Sequence, residues 1–176
     1  MSNTDMFRYS LVWDKVNKYT WALNANKMPM RRHEDIMVFY WKLPTYNKQF
    51  RKGRPFTARH TKWHWMHTQY WNPWEDREVV NDGNHNPCSI IEIKWDNKTE
   101  LWIHPTQKPV ALFEYLIKTY TNEWDTVLDN CAGSWTTWVA CKNTNRNYIL
   151  IEKDEWYCDI IRKRLEIPSS ISSRIW

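Results

Sequence analysis

Two acids and a glycine in the last third of the chain have the types and the spacing to hold a nucleoside. The apolar stretch "TVLDN" (126–130) ends in Asp129, Gly133 follows as a flexible corner, and "NYILIE" (147–152) ends in Glu152. In open parallel sheets ligands bind beyond the carboxyl ends of the strands, where a terminal acid can accept hydrogen bonds from a ribose diol. Acids also end strands and cap helices without any ligand, and taken alone the pair is better read that way. The turn between them is odd. After Gly133 and Ser134 the helix should begin with small residues, so that a ligand can approach the backbone, yet Trp135 and Trp138 stand there.

The elements around these residues follow a regular rhythm. Strands are expected at 126–130 and 147–152, with a helix over 135–143 between them and a last helix capped by Asp154, turning Tyr157, Ile160, Ile161 and Leu165 inward. Upstream, Thr106 can cap a helix with Pro109 in its first turn and Phe113, Leu116, Ile117 and Tyr120 on one face. Strand, helix and strand with short links make a βαβ unit of a parallel sheet. Nearer the start, "RYSLVW" (8–13) reads as a strand, and "HEDIMVFYW" (33–41) as a strand buried on both faces of a parallel sheet, ended by Pro44. "SIIEIKW" (89–95) is a further strand, and Asp82-Gly83 a turn.

Between these halves the pattern dissolves, and the charge changes. From Lys42 to Trp74 there are seven Lys or Arg and no acid, which leaves 18 basic against 20 acidic residues elsewhere. Such a segment is either a solvated loop or a polyanion-binding surface, and its Tyr, Phe, Trp and Asn content suits nucleic acid. Cys88, Cys131, Cys141 and Cys158 form no CxxC pair, so a thiolate zinc site is not expected. His60, His64 and His67 would align on a helix, but no fourth ligand is evident and no metal is expected. Without a signal peptide or an apolar run of spanning length, a cytoplasmic location is the expectation.

"HPTQKP" (104–109), together with "LDNCAGSWTTWVA" and "YILIEKDEWYCDIIRKRL", resembles the bacterial DNA amino-methyltransferases that modify adenine N6 or cytosine N4. More narrowly, it resembles the permuted class whose catalytic half precedes the cofactor-binding half, and "LVWDK" and "LNANKMPMRRHEDIMVFY" extend the likeness upstream. The resemblance implies a Rossmann-like α/β methyltransferase sheet. In it 1–42 would be the last part of the catalytic half, 43–100 a target-recognition insertion, 101–167 the cofactor-binding half and 168–176 a frayed tail. It further implies S-adenosylmethionine as cofactor. Asp129, Gly133, Ser134 and the position of Trp135 would form the turn around it, Glu152 would hold the ribose, and Thr106 and Lys108 would lie at the methionine end, Lys108 on the carboxylate. Double-stranded DNA is the implied partner, with a cognate restriction endonuclease in the same system. Lys48, Arg51, Lys52, Arg54, Arg59 and Lys62 would then hold phosphates, and the target base would be flipped from the duplex.

Two departures from that pattern matter. No Asp/Asn/Ser-Pro-Pro-Tyr/Phe tetrapeptide, which would align the exocyclic amine with the methyl donor, occurs in the 176 residues; "WNPW" and "HNPC" do not replace it. No catalytic residue is therefore assigned, the chain is expected to be the C-terminal portion of a longer enzyme, and a DNA-binding remnant with a blocked cofactor pocket is the rival reading. The other departure is tryptophan. The chain holds 14 Trp and 3 Gly, where an average chain of this length would hold about twelve Gly. The resemblance places Gly at Trp135 and Trp138, and commonly at Trp102, Trp124 and Trp156, whereas Trp13 falls where an aromatic is expected. With glycine at every tryptophan but Trp13 the chain would hold 16. UGA codons read as tryptophan, in a gene whose own code reads them as glycine, would give this composition. As written, Trp135 is expected to obstruct the cofactor.

Overall fold

The computed structural model describes residues 4–20, 22–60, 77–95, 107–133 and 135–159. The chain divides into two compact units, Met1–Asn47 with Cys88–Trp176, and Lys48–Pro87. No helix among the described residues is long and apolar enough to cross a membrane.

In the larger unit, β1 (Phe7–Asp14) lies between β2 (His33–Phe39), which runs antiparallel to it, and β7 (Ile90–Glu92), which runs parallel. The segment 33–41 is therefore not a strand buried in a parallel sheet. It is an antiparallel edge whose side chains alternate between half-buried and exposed, with Met37 and Phe39 facing solvent. Its run of apolar residues gives no alternation to read, and only the structure shows that one face is uncovered. The inward face packs Trp13, Ile91, Trp95 and Leu112 into one core, with Leu11 and Ile36 against it. The Trp13 indole N–H donates to the Ile93 carbonyl at 2.8 Å, and its ring stacks on Trp95.

The helix α1 (Val110–Tyr120) buries Leu112, Ile117 and Thr119. Pro109, with ψ at 139°, is the residue before the helix and not part of its first turn. The proposed cap Thr106 lies outside the described residues. Next come β8 (Thr126–Asp129), α2 (Thr136–Asn143) and β9 (Asn147–Leu150), with β8 and β9 parallel and in register from Thr126–Asn147 to Asp129–Leu150. Val127 and Tyr148 point from this pair into a second core of Ile117, Ala140 and Cys141. Leu128, Ile149 and Ile151 point the other way and are exposed. Beyond β9, the Trp156 N–H donates to Asp154 Oδ1 at 2.9 Å, the expected cap bond. Ile160, Ile161, Leu165 and the tail lie outside the described residues.

In the smaller unit, β3 (Arg51–Lys52) pairs with β6 (Asn84–His85), and β4 (Phe56–His60) with β5 (Arg77–Asn81), both antiparallel. The segment is thus more regular than its composition suggests. Gly83, at φ 93°, makes the turn between β5 and β6, a backbone shape that glycine adopts without strain. His60 ends a strand, so the helical alignment with His64 and His67 does not hold for it. Those two residues are outside the described set.

Candidate functional site

The carboxyl ends of β8 and β9 are joined by their acids. Asp129 Oδ1 accepts the Cys131 N–H at 3.0 Å, and Oδ2 accepts the Thr137 hydroxyl from the first turn of α2. Glu152 Oε2 accepts the Gly133 N–H at 2.7 Å, while Oε1 accepts those of Lys153 and Asp154 at 2.8 and 2.9 Å. The second acid therefore fixes the glycine turn of the first strand as well as its own. Ile151 and Ala132 complete the link, with backbone bonds from Ile151 to the Asp129 carbonyl and from Ala132 to the Ile151 carbonyl.

A third strand of chain closes the site from the side. The Thr136 hydroxyl donates to the Lys108 carbonyl at 3.1 Å, bringing the segment before α1 onto the start of α2. Lys108 Nζ pairs with Glu34 Oε2 at 2.8 Å, and Lys15, 1% exposed, pairs with Glu34 Oε1 at the same distance. Burial pushes the Glu34 carboxyl up, but hydrogen bonds from Lys108 and Lys15 outweigh it and hold the group below its ordinary value. Lys18 stands over the Trp95 ring at 3.9 Å, its pKa lowered by burial and by the neighbouring charges of Lys15 and Lys108.

These segments enclose a cleft of about 380 Å3. Of the residues assigned from sequence to the cofactor, Lys108, Asp129, Gly133 and Glu152 line it together. Thr106 and Ser134 lie outside the described residues. Trp135 does not line the cleft: it is 1% exposed, with its indole turned into the protein against Trp138. The expected obstruction is therefore corrected, because the bulk enters the interior and leaves the cleft open. Sequence reasoning missed Gln107, whose Oε1 is buried without a partner among the described residues, and Thr137, the hydroxyl that fixes Asp129. Gln107 sits beside Lys108 in "HPTQKP", which was the available signal. Nothing local marked Glu34, because its role depends on two lysines distant in sequence. Cys141, buried in the second core, has its thiol pushed up to about 11 by burial.

In the smaller unit, Lys48, Arg51, Lys52, Arg54 and Arg59 are all exposed, and none forms an ion pair among the described residues. Arg51 and Lys52 are held by Asn86 and Asn84, whereas Arg59 faces Glu78 across the β4–β5 ribbon. Lys62 lies outside the described residues.

A family model described as DNA methylase matches residues 3–163. The chain belongs to that family. Among DNA methylase relatives, the Type II methyltransferase M.HpaI of Haemophilus parainfluenzae is 30% identical over 151 residues, covering 84% of this chain and 43% of the relative. M.HindIII of Haemophilus influenzae is 28% identical, covering 84% of this chain and 47% of its own length. The chain thus spans about half the length of these curated relatives. The solved M1.HpyAVI–SAM complex aligns at a TM-score of 0.57 with 26% identity, over 92% of this chain and 63% of that one. The cytosine-N4-specific PvuII DNA methyltransferase, at 16% identity and a TM-score of 0.55 over 84% of this chain and 48% of its own, shares the fold.

Proposed function

We propose that the cleft binds S-adenosylmethionine, and that the chain is the cofactor-binding and target-recognition part of a methyltransferase acting on adenine N6 or cytosine N4 in duplex DNA. The observation that carries this reading is the meeting of Lys108, Asp129, Gly133 and Glu152 in one cleft, at the carboxyl ends of two parallel strands. The donor set suits the cofactor in kind. Glu152 would accept the ribose hydroxyls, and the remaining N–H donors of Lys108 would take the carboxylate of the methionine end. The orphaned Gln107 Oε1 would accept from its ammonium, which relieves the cost of burying that oxygen unpaired.

When bound, the cofactor supplies an electrophilic methyl group. The chain's own residues bind and orient. Asp129 and Thr137 fix the turn before α2, and the Thr136–Lys108 bond keeps the lysine segment against it. The exposed Lys48, Arg51, Lys52 and Arg54 would hold phosphates without reading sequence. The 176 residues contain no tetrapeptide to align the target amine, so the proposal gives this chain binding without methyl transfer of its own. The open cleft weighs against the reading of a remnant with a blocked pocket.

Titration calorimetry of the 176-residue chain with S-adenosylmethionine tests the proposal. Binding is expected, with D129A and E152A each weakening it by roughly tenfold to a hundredfold, as for hydrogen bonds to a charged group. Absence of binding, or binding indifferent to both substitutions, overturns it.

A further inference from the structure

Three marks separate some tryptophans of this chain from the others. The first is backbone shape. Of the seven tryptophans among the described residues, Trp124 and Trp135 have φ of 69° and 75°, where only a few per cent of non-glycine residues are found. Two other such residues occur among the described residues: Asn145, a type that tolerates the region, and Val16, whose N–H is tied to Asp14 Oδ1 at 2.8 Å.

The second mark is the local geometry that imposes this shape. The Asp125 N–H donates to the Asn122 carbonyl at 3.2 Å, closing a turn over residues 122–125 with Trp124 at its third position. Positive φ at the third position alone defines a type II turn, which glycine fills. Trp124 can gain little from packing there, since it is 70% exposed. Trp135 occupies the cap position of α2 with φ 75° and ψ 8°, where a capping residue is ordinarily extended and bonds through its side chain. It makes no such side-chain bond.

The third mark is polar satisfaction. The indole nitrogens of Trp135 and Trp138 are buried without a partner among the described residues, and their rings meet edge to face with centroids 5.5 Å apart. An indole that a fold has been selected to bury finds an acceptor. Trp13 does so, on the Ile93 carbonyl, and its backbone is not left-handed. Trp95 likewise stacks in the core at ordinary φ.

We propose that the natural residues at positions 124, 135 and 138 are glycine, and that tryptophan stands there because UGA, glycine in the gene's own code, has been read by a code in which it means tryptophan. Glycine at these three positions moves the chain from 14 Trp and 3 Gly towards an ordinary composition. The two backbone positions that need glycine carry tryptophan because the glycine codon itself was misread. The three glycines present, Gly53, Gly83 and Gly133, would then be written with other glycine codons. The cap of α2 beside the cleft is a glycine corner, and its α2 is free of two orphaned N–H groups.

The gene and the native protein decide the matter. Nucleotide sequencing should show UGA at 124, 135 and 138 and UGG at 13. Tryptic peptides of the protein made in its own cells should have the masses of glycine at the first three positions and tryptophan at 13. Tryptophan at 124 or 135 in the native protein overturns the proposal. A second measurement needs no native source: in the chain as written, W124G should raise the thermal midpoint by about 2–4 °C, while W124A, which keeps the Cβ, should not. W13G should lower it steeply. Equal midpoints for W124G and W124A would overturn the assignment at that turn. Neither measurement involves cofactor or DNA, so failure here is distinct from failure of the functional reading.

Discussion

Glu34 joins two lysines near the cleft through one carboxylate. It neutralises Lys15, which is 1% exposed and stacked near Trp13 and Trp95, and at the same time holds Lys108 at the cleft wall. Glu34→Ala would leave the Lys15 ammonium buried without its counter-charge, at a cost of about 3 kcal/mol in stability, readable by urea unfolding. The same residue sets a pH dependence. Its folded pKa lies below the unfolded one, so its contribution is complete above the unfolded value and is lost as pH falls through the folded value. Asp14, lowered chiefly by its bond to Arg32, adds in the same direction. Thermal midpoints should therefore drop between about pH 5 and about pH 3, and less steeply in E34Q. A slope unchanged by E34Q would show that Glu34 does not titrate in this network. Residues of this kind are where sequence reading stops. Asp129 and Glu152 were legible because each ends an apolar run beside its own turn, whereas Glu34 acquires its role from partners brought in by the fold.

At the scale of elements, the basic segment becomes two short ribbons whose cations face solvent. Asn84 and Asn86 fix Lys52 and Arg51 without neutralising them. On the proposed function, the 176-residue chain should bind duplex DNA with an affinity that falls steeply with salt, and replacing Arg51, Lys52 and Arg54 together by Ala should reduce the log–log slope by up to about 2.7, roughly 0.9 per phosphate contact. An unchanged slope would make the segment solvated surface. Arg59 should matter less, because Glu78 lies opposite it. The elements were unequally legible. The β8–α2–β9 unit was readable because alternating apolar runs, a glycine corner and short links admit one arrangement. By contrast, β2 was misread: Ile36 to Tyr40 is apolar throughout, so its sequence does not say that Met37 and Phe39 face outward. The pairing of β3 with β6 could not be read at all, since two-residue strands carry no period.

Among the described residues of the larger unit, α1 and α2 cover one side of the β8–β9 pair. A parallel pair such as β8–β9 is ordinarily covered on both faces. Here Val127 and Tyr148 meet α1 and α2, while Leu128, Ile149 and Ile151 remain 61%, 53% and 52% exposed on the other side. Met37, at 62%, and Ile90, at 51%, do the same on the β2–β1–β7 sheet. Exposed apolar side chains grouped on a strand face make a contact surface or an aggregation liability, and covering each of them is worth on the order of 1 kcal/mol. The 176-residue chain by itself should therefore bind a hydrophobic dye in its folded state and associate with rising concentration, followed by light scattering behind a sizing column. L128K and I149K together should suppress both effects with little change in thermal midpoint, because neither side chain is buried in the folded chain. Dye binding and association that persist in that double variant would place the contact surface elsewhere, and a chain that stays monomeric and dye-free would mean that this face is not sticky as it stands.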